Sequence, residues 1–139
     1  MADAGAFSAS LGSMTLIKTL TASNSATLSF VHGSGGVVLD NTYPIYKFEF
    51  INIHPSGSGS EFQVGFRDGS TAYDATNTTT IWYAYNFEND GGTALEYSTG
   101  DDLAQGTGAQ HIGQDIGVNN DDTTAGFLHL FNPSSATFV

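Results

Sequence analysis

Where this chain is strongly apolar, it tends to be apolar at every second residue. Tyr46, Phe48 and Phe50 alternate with Lys47 and Glu49, and Phe62, Val64 and Phe66 repeat the pattern. A period of two places side chains on opposite faces of an extended strand, whereas a helix needs apolar residues at i, i+3, i+4 and i+7. No stretch keeps that helical spacing. Between the alternating runs stand turn formers: Ala22-Ser23-Asn24-Ser25, Gly33-Ser34-Gly35-Gly36, the Ser-Gly repeat after Pro55, and Asp68-Gly69-Ser70. Without a crossover helix, successive strands join antiparallel.

Taken along the chain, the alternation predicts strands over 13–22, 26–32, 37–39, 43–54, 61–67, 77–87 and 124–131. Short strands at 95–97 and 111–116 lie in a region that is otherwise loop, and a further strand starts at 136. Roughly seven to nine strands at this spacing predict an all-β antiparallel β-sandwich of jelly-roll type. The expected core is Tyr46, Phe48, Phe50, Phe62, Val64, Phe66, Phe127 and Phe131. Residues 14–139 form the domain, with a loop-rich insertion at about 88–122. Residues 1–13, small apart from Phe7, form a flexible N-terminal arm.

Composition fits a folded β domain. The chain of 139 residues is 40% hydrophobic, with ten Phe, six Tyr and one Trp, which is aromatic content that a disordered chain lacks. Only 12% of its residues are charged. Solubility therefore rests on Ser, Thr, Asn, Gln and Gly and on a net charge of −11. Lys18, Lys47 and Arg67 are its three cations. They make no basic stripe, so neither nucleic acid nor an anionic lipid surface is an expected partner. A cationic partner and carbohydrate both suit the acidic balance.

The chain has no cysteine, which excludes a disulfide framework and thiolate metal sites. Its first residues carry neither a cationic nor an apolar signal-peptide region, and no run is long enough for membrane insertion as a helix. The expected place of synthesis is a reducing cytoplasm.

No catalytic constellation stands out, and no enzyme activity or cofactor is expected. His32, His54, His111 and His129 fall on four separate elements, with no H-x-H or H-E-x-x-H pair. His129, between Phe127 and Phe131, reads as a core or interface histidine. No Ser lies in G-x-S-x-G. Glu49, Glu61 and Glu88 are the carboxylates from which a glycosidase pair would be drawn, a pairing that needs about 5–10 Å separation. Two loops, Glu88-Asn89-Asp90-Gly91 and Asn119-Asn120-Asp121-Asp122, offer oxygen ligands of the kind calcium takes, without the twelve-residue EF-hand spacing. The candidate contact residues of the insertion are Glu88, Asp90, Tyr97, Asp101, Asp102, Asp121 and Asp122. Phe7 and Phe138 are the candidate attachment residues.

Three strings carry a resemblance. They are Thr15-Leu16-Ile17-Lys18-Thr19, the run Tyr43-Pro44-Ile45-Tyr46-Lys47-Phe48-Glu49-Phe50-Ile51-Asn52-Ile53-His54-Pro55, and Phe127-Leu128-His129-Leu130-Phe131-Asn132-Pro133-Ser134-Ser135. Together they resemble small virion structural proteins of tailed bacteriophages, especially marine ones. The resemblance spans most of 14–139 and rests on strand and turn strings, not on a catalytic signature. It implies a jelly-roll-like sandwich carried on a virion assembled in the host cytoplasm, either as a capsid decoration or cement protein or as a tail-fibre, receptor-binding element. The partners it implies are other phage structural proteins, copies of the chain itself as a homo-oligomer, and a host surface glycan. From composition alone, a free carbohydrate-binding module is the competing reading.

Overall fold

The computed structural model describes residues 14–135. Phe7, the arm 1–13, Phe138 and the strand expected from 136 lie outside the described residues. The described chain is all-β, with no helix. Its strands are β1 (Ile45–Ile53), β2 (Ser60–Val64), β3 (Trp82–Asn86), β4 (Thr93–Tyr97), β5 (Gln110–Ile116) and β6 (Thr124–Phe131). They pair as three two-stranded sheets, β1 with β6, β2 with β5 and β3 with β4. The chain divides into two compact units. One takes in the described residues up to Glu49 and from Phe127, and the other is Phe50–Gly126.

In the first unit, the alternation of β1 works as the sequence predicts. Tyr46 is buried and Phe48 half-buried, while Lys47 and Glu49 face water and pair with each other at 2.7 Å. Phe30 packs edge-on against Phe48, and Tyr43 against Tyr46. The Tyr46 hydroxyl donates to the Asp40 carbonyl at 2.9 Å and accepts from the Asp40 N–H at 3.1 Å. That hydroxyl closes the loop ahead of β1, and Val37 is buried in the same unit. The Asp40 carboxylate accepts from the Thr42 N–H at 2.8 Å, and hydrogen bonding to its charged form from the Thr42 side chain, and then from this N–H, lowers its pKa below 3.8.

Two expectations about this unit are corrected. Of the strands expected over 13–22, 26–32 and 37–39, the described residues 14–22, 26–32 and 37–39 form none. Alternation permits an extended backbone, but a strand exists only where a second backbone pairs with it, and these stretches join no ladder among the described residues. The second correction is the parity of β6. Leu128 and Leu130 are its half-buried positions, whereas Phe127 and Phe131 are exposed at 66% and 56%. Both parities of that strand are apolar, so pattern alone does not choose the inward face. His129 stands with the two outward phenylalanines in a row of ring contacts, and the Lys47 ammonium lies 5.3 Å from the Phe127 ring centre.

In the second unit, β2 alternates as predicted, with Phe62 and Val64 half-buried and Glu61 and Gln63 exposed. Phe50 meets Phe62 edge-on at 4.9 Å, and Ile116 is buried. The β2–β5 register slips twice, from Ser60↔Ile116 to Phe62↔Gly113 to Gln63↔His111. Each slip adds a residue on the β5 side and re-aims the side chains beyond it. Asp115, in the left-handed region at φ 52°, sits in the first slip, and it lets Ile116 point inward one residue out of simple phase. Gly113 packs against Phe62, and a Cβ there would lie 3.5 Å from the Phe62 Cβ, at ordinary van der Waals contact.

The expected strand over 77–87 is shorter than predicted. Asn77 makes an isolated bridge to Gly106, and the ladder itself begins at Trp82. Within the 88–122 stretch, β4 and β5 occupy and extend the two short segments predicted there.

Candidate functional site

The β3–β4 hairpin, whose second strand lies in the insertion, presents several large apolar side chains to solvent. Its register pairs Trp82 with Tyr97, Tyr83 with Glu96, Ala84 with Leu95, Tyr85 with Ala94 and Asn86 with Thr93. Directly opposed residues share a face. One face therefore carries Trp82, Tyr97, Ala84 and Leu95, and the other Tyr83, Tyr85, Ala94 and Glu96. Every residue of β3 is exposed. Trp82 is 69%, Leu95 70% and Tyr97 55% exposed.

The hairpin is held by its ends as well as its ladder. At the tip, the Phe87 N–H donates to the Gly92 carbonyl and the Asp90 N–H to the Phe87 carbonyl, both at 3.0 Å. The Asn89 side-chain oxygen accepts from the Gly91 N–H, and Asp90 takes the left-handed φ of 56° that this tight turn requires. At the base, the Ser98 N–H donates to the Ile81 carbonyl, and the Asp102 carboxylate accepts from the Ile81 N–H at 2.9 Å. The Tyr97 hydroxyl donates to the other Asp102 oxygen, which raises the Tyr97 pKa because its ionised form would face a carboxylate. The same cause acts on Tyr83, whose hydroxyl donates to Glu96 at 3.1 Å.

On the Tyr83 face the rings serve one another. Tyr83 stacks on Tyr85 at 6.1 Å, and Tyr85 meets Phe87 at 4.9 Å. Their planes are turned toward neighbouring rings, so the face offers ring edges and hydroxyls in place of an open platform. Among the described residues, the rings of the Trp82 face make no such ring-on-ring contact.

A second cluster forms where β2, β5 and the loop after β4 converge. The His111 Nε2 lies 3.2 Å from Glu61, and its Nδ1 lies 3.6 Å from Asp101. Asp101 accepts from the Ser98 hydroxyl at 2.5 Å and from the Gln114 amide at 2.8 Å. These bonds, with the Ser98 hydroxyl foremost, hold the Asp101 pKa below 3.8. The order of this network matters chemically. Asp101 stands between the serine and the histidine, so the imidazole is not placed to take the Ser98 proton, as nucleophilic catalysis would require.

The candidate contact residues thus separate into three places. Tyr97, Asp101 and Asp102 come together at the hairpin base, and Glu88 and Asp90 sit at its tip. Asp121 and Asp122 occupy the β5–β6 turn, where Asp122 accepts from the Asn119 backbone at 3.0 Å and from its side chain at 2.8 Å. Among the described residues no group of three or more His, Asp or Glu is placed to hold a metal ion. Of the glycosidase candidates, Glu49 is engaged by Lys47, and Glu61 by His111 and Gln63. Sequence reasoning singled out Asp101 but did not join it to Glu61 and His111. Fifty positions separate Glu61 from His111, and only the bulged register of β2 on β5 brings them together. A cleft of about 280 Å³ beside that turn is lined by residues 113–117 and 122–124, mostly small and polar.

Compared with known proteins, the chain matches no family model, no curated protein and no solved structure.

Proposed function

We propose that this chain is a non-enzymatic structural component of a tailed-phage virion, a jelly-roll-like sandwich carried on the particle. One observation carries the reading. Among the described residues only Val37, Tyr46 and Ile116 are buried apolar side chains, while large aromatic and aliphatic residues stand exposed in both units. A two-stranded sheet is marginal alone in water, and open sheet edges invite a further partner. Surface of this kind is covered when the chain is packed among neighbours in an assembly, whether other structural proteins or further copies of itself. The strings that resemble phage proteins point the assembly reading toward a virion.

Mass spectrometry of purified particles tests it. Detection of the chain as a stoichiometric virion component supports the reading, and its absence from particles defeats it. Copy number then separates the two versions. Hundreds of copies mark a capsid decoration, and far fewer mark a tail-fibre, receptor-binding appendage.

A further inference from the structure

We infer that the Trp82 face of the β3–β4 hairpin is the docking surface for a different protein, one that presents an apolar patch bordered by Lys or Arg. The inference rests on the assembly reading and names the attachment surface and the chemistry of its partner. Trp82, Leu95 and Tyr97 lie together on that face, and each is more than half exposed. Tryptophan and tyrosine are the residue types that most often anchor protein interfaces. The hairpin that bears them is rigidified at both ends by the turn bonds of the tip and the Asp102 clamp on Ile81, so docking costs little ordering.

Charge selects the occupant. Lys18, Lys47 and Arg67 all precede the hairpin, and from Asp68 to Val139 every Asp, Glu, Lys or Arg is an Asp or Glu. Glu88 and Asp90 mark one end of the strip, and Asp101 and Asp102 the other. A second copy laid on this face would bring the same carboxylates against themselves, and juxtaposed like charges work against association. A partner whose apolar patch is rimmed by cations gains from both terms. Its attraction is screened as salt shortens the Debye length.

Trp82 is the only tryptophan of the chain, so its emission reports the face directly. The full chain is titrated with three synthetic peptides of equal length, alternating Lys-Leu, Lys-Ser or Glu-Leu. The Lys-Leu peptide is expected to shift Trp82 emission to the blue, and to lose affinity steeply between about 0.1 M and about 1 M salt. The Lys-Ser and Glu-Leu peptides are expected to leave the emission unchanged at the same concentrations. Leu95→Ser, which alters a 70% exposed side chain and leaves the aromatic anchors, is expected to weaken Lys-Leu binding about tenfold.

An unshifted spectrum with Lys-Leu overturns the inference. So does an equal response to Glu-Leu, which marks undirected apolar adhesion. So does a blue shift that grows with protein concentration alone, which assigns the face to a second copy. Presence in particles without any Trp82 response removes this surface and spares the assembly reading. A response that meets every expectation, from a chain absent from particles, does the reverse.

Discussion

Removing one oxygen from Tyr46 tests how the first unit is held together. Tyr46 is 4% exposed, and its hydroxyl satisfies both backbone groups of Asp40, at 2.9 Å and 3.1 Å. Tyr46→Phe keeps the ring, its burial and its edge-on contact with Tyr43. It leaves an N–H and a C=O without their partner. Each net hydrogen bond contributes about 0.5–1.5 kcal/mol, and an unmet buried group costs about 1–3 kcal/mol. Because the loop is only partly buried and water can reach some of it, the expected loss is about 1–2 kcal/mol. With a urea slope of about 1–3 kcal/mol per molar for a small protein, the unfolding midpoint should fall by roughly 1 M. Tyr43→Phe is the control, since the Tyr43 hydroxyl takes part in neither bond and its midpoint should not move. The assay is equilibrium urea unfolding followed by far-UV circular dichroism, with the slope checked for constancy. Equal midpoints for Tyr46→Phe and the parent protein would refute the claim that this hydroxyl organises the loop.

The parity of β6 predicts an asymmetry between neighbouring residues. Leu130→Ala, at a half-buried position, should cost about 1–2 kcal/mol, below the range for a fully buried leucine. Phe127→Ala, at a 66% exposed ring, should change stability by less than about 0.5 kcal/mol in thermal or urea unfolding, and the reverse order would restore the phenylalanine face as the core. Asp101 predicts an acid dependence. Its folded pKa lies below the ordinary 3.8, so its contribution to stability is present above that value and is lost as pH falls through the lowered folded pKa. Asp101→Asn should therefore be less stable than the parent at neutral pH and converge with it below pH 3.8, and parallel stability–pH curves would count against the Ser98 and Gln114 bonds as the cause.

The order of residues alone dictates the class of backbone and much of the β1 and β2 faces. Over residues 46–50 of β1 and 61–64 of β2 one parity is aromatic or aliphatic and the other is charged or polar, so burial has one choice there, and Tyr46, Phe48, Phe62 and Val64 take it. In β6 both parities are apolar, and only packing in three dimensions turns Leu128 and Leu130 inward. The strands β3 and β4 each overlap an expected segment, whereas the ladders that pair strands are not written in the alternation. They are not legible over 13–39, because alternation records which side chains could share a face and carries no information about a pairing partner. The candidate site divides in the same way. The acidic character of residues 88–122 is written in the composition. The convergence of Glu61, Asp101 and His111, and the Trp82–Leu95–Tyr97 strip, depend on register, which is set by bulges and turns through the free energy of many backbone bonds at once.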